Sequence, residues 1–462
     1  MRSLTCFKTY DVRGVVGSEI TEDIAYRIGR SFAEHLAAKK IIVGSDARLS
    51  GEALKLALCN GIMDGGADVV DIGLSGTEEI YFATHHLNMD GGIEVTASHN
   101  PIDHNGFKFA GPGSRPLRMD EEFPAIRRLT ETANFKEPTR RGTFSKSSTL
   151  TAYADHLLSL VDVGKFPALK IVADSGNGAA GHVIDAIEAR FKALSLPIEF
   201  VKINHEPDGS FPNGVPNPLL PDKRATTAKA VRDHQADLGI AWDGDFDRCF
   251  LYDETGAFIS GYYVAGLLSG IFLGKNPAAT IICDSKLYWN TLDIIEKAGG
   301  RALMSRTGHV FFKEQMRQHN AAYGGEISAH HYFRDFAYCD SGMIPWLLIV
   351  EHLGVSKKRL SEIVAERAEK FACSDEINFV VSDAARVMAG ICETYQATAV
   401  SSERIDGVGF AFENWRFNLR MSNTEPLLRL NIESRAGAEL VTEKITEMTE
   451  LIQKLSEVSN VS

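Results

Sequence analysis

Three aspartates stand at every second position in Asp243-Gly244-Asp245-Phe246-Asp247, directly after the apolar run Leu238-Gly239-Ile240-Ala241-Trp242. Along an extended chain such side chains lie about 6.5–7 Å apart, too far to share one ion. A curl after the strand would bring them together, and Gly244 permits one. Converging carboxylate oxygens are hard ligands that suit Mg²⁺. A solvated acidic turn is the plain alternative, but no basic residue follows before Arg248 to relieve the repulsion. An EF-hand does not fit. Glu254 falls at the twelfth position, but Arg248 occupies the sixth, where glycine is needed, and a strand precedes the loop.

A second set is nucleophilic. Thr96-Ala97-Ser98-His99-Asn100-Pro101 follows Gly91-Gly92-Ile93-Glu94-Val95, which reads as a buried strand end. Asn100-Pro101 rarely continue a strand or a helix. Ser98 therefore sits on a sharp turn beyond a strand, where α/β domains bind ligands and a hydroxyl can take and give a transferred group. Alone, such a serine reads as a turn cap; partners elsewhere change that. Thr96 is two residues back, roughly 6.5–7 Å away if extended, too far for an in-line transfer needing atoms at about 3–3.5 Å.

Two further stretches gather polar side chains that could bind hydroxyls or an anion. Glu326, Ser328 and His330 alternate, so one extended face would offer a carboxylate, a hydroxyl and an imidazole. A satisfied polar loop is the alternative. His309, after Gly308, is either a proton handler or a surface residue. Arg420-Met421-Ser422-Asn423-Thr424-Glu425-Pro426 gathers a guanidinium, two hydroxyls and several backbone N–H groups between two strands. That is a phosphate cradle or an ordinary hairpin loop.

The elements that must position these groups follow one local grammar. A helix is predicted from Thr21 to about Lys39, with Ile24, Ile28, Phe32 and Leu36 on one stripe. A strand at 41–46, a helix from about Ser50 to Gly65 and a strand at 68–73 follow, an order that argues for a parallel sheet. Arg13, in the turn after an extended start, reads alone as a solvated charge. Residues 111–148 read as a helix plus a connecting segment. Strand-then-aspartate recurs at Asp46, Asp174 and Asp284, which suggests three related α/β domains. Residues 407–419 and 427–434 read as two strands joined by a polar loop. A C-terminal helix over 438–455 follows, with Leu440, Ile445, Met448, Leu451 and Ile452 roughly on one face.

Bulk properties narrow the class. A chain of 462 residues predicts three or four domains. With 44% hydrophobic and 24% charged residues it reads as an ordinary globular enzyme, and a net charge of −12 argues against nucleic-acid binding. Seven scattered cysteines read as free thiols in a reducing compartment. Met1 to Gly14 lacks an apolar targeting core, and the longest apolar run, Met343 to Val350, is too short to span a bilayer. A cytoplasmic protein with no membrane partner is the expectation.

Taken together, the four stretches resemble the α-D-phosphohexomutase family over essentially the full length, closest to the bacterial members that supply GDP-mannose for surface polysaccharides. The set is Thr96 to Pro101, Asp243 to Arg248, Gly325 to His330 and Arg420 to Pro426. The resemblance implies three related mixed α/β domains with largely parallel sheets, plus a smaller C-terminal α+β domain, around a central cleft. Boundaries of 1–148, 149–252, 253–370 and 371–462 follow, bearing in turn the phosphoserine, metal, sugar and phosphate loops. It implies interconversion of hexose 6- and 1-phosphates, with mannose ahead of glucose or dual specificity.

Ser98 would carry the phosphoryl group and, with Asp243, Asp245 and Asp247, hold Mg²⁺. A hexose 1,6-bisphosphate would act as activator. Glu326 and Ser328 would contact sugar O3 and O4. Arg420, Ser422, Asn423 and Thr424 would hold the non-reacting phosphate. Tyr10, Arg13, Lys108, Arg248, Lys286, His309 and His330 would line the cleft, with Lys108, His309 and His330 among the catalytic groups. A hydrolase could use the same serine and metal but would release inorganic phosphate; a sensor would not need an intact serine–metal set. The chain departs from many members at Ile327, Ala329, Phe246 and Gly76-Thr77-Glu78-Glu79, none of which removes a catalytic side chain.

Overall fold

The structure, a computed structural model, describes residues 4–421 and 427–457. The chain divides into two compact units, Met1–Phe258 with His330–Arg359, and Ile259–Ala329 with Leu360–Ser462.

In the first unit, Lys40–Ser45 lies between Asp68–Leu74 and Gly91–Val95, both parallel to it. Leu169–Asp174 lies in the same way between Ile198–Ile203 and Leu238–Trp242. In the second unit, Thr280–Asp284 lies between Arg301–Ser305 and Tyr323–Gly325, again parallel. Each central strand is apolar and covered on both faces, as parallel strands require: Ile41, Ile42, Ile171, Val172, Ile281 and Ile282 have no solvent exposure. In the first two sheets an antiparallel strand then adds beside the third: His104–Ala110 on Gly91–Val95, and Cys249–Tyr252 on Leu238–Trp242.

The recurring aspartates turn out to be equivalent. Each closes its central strand by accepting from the backbone N–H two residues on: Arg48 at 3.0 Å, Gly176 at 3.0 Å and Lys286 at 2.9 Å. The second carboxylate oxygen reaches the end of the third strand or the elements around it. Thr96 Oγ1 donates to Asp46, Thr227 Oγ1 to Asp174 and Ile327 N to Asp284. The repetition therefore lies in strand order and in turn chemistry.

The first predicted helix is Glu22–His35, capped by Thr21, whose side chain accepts from Ile24 N at 3.2 Å. It stops before Lys39 because Ala37 adopts a left-handed φ of 47° and turns the chain toward the next strand. The C-terminal region is an antiparallel sheet of Ala372–Cys373, Ile377–Val380, Leu427–Ser434, Trp415–Met421, Val408–Ala411 and Ser401–Glu403. The single strand expected over 407–419 is two strands. They are joined by a turn in which Phe412 N donates to Trp415 O at 2.8 Å and the two rings stack at 4.4 Å. Helix Ala438–Glu457 packs on this sheet through buried Met448 and Ile452, with Leu440, Ile445 and Leu451 partly buried alongside.

Candidate active site

The Ser98 turn is braced from several sides. Ser98 has φ 52° and is 2% exposed, an uncommon conformation for a residue with a Cβ. Its N–H donates to Thr96 Oγ1 at 2.8 Å, so Thr96 is a brace of the turn. Arg48 donates to the carbonyls of Ser98, Asn100, Pro101 and His104 at 2.6–2.9 Å. Arg13, on the strand Val12–Val15, donates to Asn100 Oδ1 and to Asp11 Oδ2, both at 2.7 Å. Burial opposes its charge, but Asp11 and Asp245 hold its pKa above the ordinary guanidinium value. It is no solvated charge. Tyr10 is half-buried in the bend before that strand.

Ser98 Oγ donates to Asp243 Oδ2 at 2.7 Å and lies 3.0 Å from His99 Nδ1. The metal-type loop does curl, but at Phe246, whose φ is 46°. Gly244 is required for another reason: a Cβ there would stand 2.6 Å from the Ser98 carbonyl oxygen. The Phe246 ring fills the space over Gly76, where a Cβ would meet it at 2.2 Å, so two of the departures from the family pattern are one packing pair.

Asp243, Asp245 and Asp247 are fully or almost fully buried and offer ligand atoms within 4.8 Å of one another. The Oδ1 of each has no hydrogen-bond partner among the described residues. Orphaned oxygens on three buried aspartates whose ligand atoms cluster, beside a serine hydroxyl, fit a hard divalent cation. Their repulsion is also relieved by cations from elsewhere in the chain. Lys108 Nζ, on the strand His104–Ala110, is 2.6 Å from Asp245 Oδ2 and 2.5 Å from Asp247 Oδ2. Arg248 donates to Asp243 Oδ2 at 2.8 Å and also meets His99 Nδ1. Thr77 donates from Oγ1 to Asp245 Oδ2 at 2.5 Å and from its N–H to Asp245 O at 3.1 Å.

Burial opposes the Asp245 charge, yet Lys108 holds its carboxyl well below the usual range. Burial and the Asp245 charge push the Asp247 carboxyl above its usual range. Lys108 is buried too, but the two carboxylates keep its ammonium above its ordinary pKa.

His330 belongs to this first unit. Its Nδ1 lies 3.0 Å from Asp340 Oδ2 and 3.9 Å from Asp247 Oδ1. The neighbouring His331 is fully buried, and burial pushes its pKa down to about 3, so it is a neutral core group.

In the second unit, Lys286, His309, Glu326 and Ser328 gather around the carboxyl ends of the three parallel strands. Lys286 Nζ is 3.4 Å from Asp284 Oδ2. His309 is the first residue of helix His309–His319, with Lys313 Nζ 3.3 Å from its Nδ1. The extended face expected for Glu326, Ser328 and His330 does not form. Ala329 N donates to Glu326 O at 3.1 Å, and Ala329 has φ 72°, so the segment is a turn. Glu326 Oε2 instead accepts from Gly308 N at 3.3 Å and from Ser328 Oγ at 3.4 Å. Arg420 stands in the strand Trp415–Met421, with Nη2 3.1 Å from Glu376 Oε2. Ser422, Asn423 and Thr424 lie outside the described residues.

Sequence reasoning passed over Arg48, Thr77, His99, Asp340 and Glu376. Arg48 carried a signal: it stands two residues after Asp46, as Lys286 stands two after Asp284. The other four are recognised only by spatial partners.

Comparison with known proteins places this architecture. Domain models I, II and III of phosphoglucomutase/phosphomannomutase match residues 5–137, 151–256 and 260–371, and the C-terminal domain model matches 376–451. An Escherichia coli protein named phosphomannomutase is 56% identical over 456 residues, covering 98% of this chain and all of that one. A Vibrio cholerae protein of the same name is 55% identical over 461 residues, with the same coverage. The crystal structure of a phosphoglucomutase/phosphomannomutase family protein from Burkholderia thailandensis superposes with TM-score 0.84 at 29% identity, covering 98% of each chain.

Fold, site and relatives define an enzyme that moves a phosphoryl group within its substrate, an intramolecular phosphotransferase. The chain belongs to the phosphoglucomutase/phosphomannomutase family.

Proposed function

We propose that the protein interconverts mannose 6-phosphate and mannose 1-phosphate through a phosphoserine at Ser98 and a mannose 1,6-bisphosphate intermediate. The observation that carries this reading is the contact of Ser98 Oγ with Asp243 Oδ2 at 2.7 Å, beside three buried orphan carboxylate oxygens. The identities of 56% and 55% to proteins named phosphomannomutase support mannose as the sugar.

In the first half-reaction the free sugar hydroxyl attacks the phosphorus. The P–Oγ bond of phosphoserine breaks, and the hydroxyl proton passes to a protein base. The bisphosphate then turns around, Ser98 Oγ attacks the other phosphorus, the bond from that phosphorus to the sugar oxygen breaks, and the freed sugar oxygen takes up the proton. Mg²⁺ held by Asp243, Asp245, Asp247 and the phosphoserine would neutralise charge on the transferring group. Lys108, kept as an ammonium by Asp245 and Asp247, supplies a fixed positive charge beside that group. His330, oriented through Nδ1 by Asp340, is the proton carrier of the first unit, and His309 that of the second. Arg13 and Arg248 hold the Ser98 turn and Asp243 in place.

Glu326 and Ser328 contact sugar O3 and O4; Arg420, Ser422, Asn423 and Thr424 hold the non-reacting phosphate; Tyr10 and Lys286 complete the substrate contacts. The labour divides among four domains, 1–148, 149–252, 253–370 and 371–462. Hexose 1,6-bisphosphate restores any enzyme that loses its phosphate. The product feeds GDP-mannose and surface polysaccharide synthesis in the cytoplasm.

The test is a panel of mannose, glucose and glucosamine phosphates, with and without a hexose 1,6-bisphosphate. Fastest turnover on mannose phosphates, with bisphosphate-dependent activation, is expected. Turnover that favours glucose or glucosamine phosphates overturns the mannose assignment.

A further inference from the structure

The second unit holds a carboxylate that the reaction as described does not use. Glu376 Oε2 lies 3.1 Å from Arg420 Nη2, and its Oε1 lies 3.3 Å from Arg429 Nη1. Arg420 and Arg429 are direct cross-strand partners on Trp415–Met421 and Leu427–Ser434. Like charges directly opposite destabilise a strand pair, so this position calls for an anion between them. Glu376 supplies it from the residue before Ile377–Val380, the strand paired to Leu427–Ser434.

The arrangement leaves binding capacity. Arg420 Nε is buried and has no hydrogen-bond partner among the described residues. A guanidinium in that state has a donor left for a second anion. Lys286 adds to the positive field: burial opposes the Glu376 charge, but Lys286, Arg420 and Arg429 keep its carboxyl below its ordinary pKa. Glu376 is therefore an anion bound where positive charge converges.

We propose that Glu376 is a built-in competitor for the substrate's non-reacting phosphate, holding Arg420 and Arg429 in the free enzyme and giving up Arg420 when phosphate binds. The proposal rests on the reading that Arg420 binds that phosphate. The chemistry of the reaction gives the device a purpose. Between the two transfers the bisphosphate must reverse, so the distal phosphate is released once in every turnover. A phosphate gripped by an unopposed arginine pair would leave slowly. A carboxylate that takes the guanidinium back offsets part of the phosphate's binding and speeds its departure.

The test uses the full-length enzyme with Glu376→Gln, which keeps size and removes charge, and with Arg420→Ala. Binding of inorganic phosphate, mannose 6-phosphate and mannose 1-phosphate is measured by calorimetry, with steady-state kinetics in both directions and thermal melts to verify folding. In Glu376→Gln all three ligands should bind about tenfold tighter, with KM and kcat both reduced. Arg420→Ala should weaken all three. Unchanged or weaker binding in Glu376→Gln, with binding lost in Arg420→Ala, overturns the competitor role alone. Phosphate binding untouched by Arg420→Ala overturns the phosphate-site reading, and the competitor role with it. Should Glu376→Gln melt too low to assay, Glu376→Asp serves instead: the shorter carboxylate should also tighten phosphate, and failure to do so counts against the proposal.

Discussion

Ser98 Oγ and Asp243 Oδ2 are 2.7 Å apart although 145 residues separate them in the chain. The contact joins the turn after the third strand of the first sheet to the turn after the third strand of the second. Equivalent positions of two repeated sheets thus supply the nucleophile and the first acidic ligand. Glycine at 244 is what lets the two backbones approach this closely.

The acidic loop is expected to be a metal site with no spare carboxylate. Asp245→Asn should lose at least about 100-fold in kcat while the fold survives, with a lower melting temperature because buried Lys108 loses one of its two carboxylate partners. Chelator should abolish wild-type turnover, and added Mg²⁺ should restore it. Full activity in chelator would refute the site.

Thr77 aims Asp245, since it fixes both the Oδ2 atom and the backbone carbonyl of that residue. Losing such an outer partner typically weakens metal binding about 10–100-fold. Thr77→Val should show this loss by direct titration with Mn²⁺ followed by electron paramagnetic resonance, and Thr77→Ser should recover most of it. Equal affinity in Thr77→Val and wild type would remove the aiming role.

A pH-dependent stability difference should arise at His182, whose Nε2 lies 2.9 Å from Glu79 Oε2. Burial lowers the imidazole pKa, but the Glu79 carboxylate outweighs it and the net shift is upward. A raised folded-state pKa contributes stability fully below the ordinary imidazole value, and that contribution is lost as pH rises through the raised value. The gap in melting temperature between wild type and His182→Gln should therefore be wider at pH 6 than at pH 9. A gap that is constant or widens with pH would contradict the ion pair.

Much of the fold was legible because its signals are local. Apolar runs ending in Asp46, Asp174 and Asp284 marked the three central strands, and the same aspartates close each turn. The acidic triplet and the Ser98 turn were legible from residue type and spacing. What escaped depends on distant partners or on a single dihedral angle. Lys108 meets Asp245 across 137 residues, so local charge counting mistook the loop for an unrelieved cluster. The curl falls at Phe246 where glycine chemistry pointed to Gly244, because a buried ring against Gly76 holds the left-handed conformation. Likewise, alternation from Glu326 to His330 suggested a strand, but Ala329 reverses the chain and sends His330 to Asp340.

Ser98 is expected to carry the phosphoryl group between the two halves of the reaction. Intact-protein mass spectrometry with peptide mapping, run beside a hexose phosphate exchange assay and a free phosphate assay, tests it directly. Phosphate should be found on Ser98 in part of the purified enzyme, the fraction should rise with hexose 1,6-bisphosphate, and both label and exchange should be lost in Ser98→Ala. Phosphate release that matches substrate loss, with no exchange between 1- and 6-phosphates, would contradict it and make the protein a hydrolase.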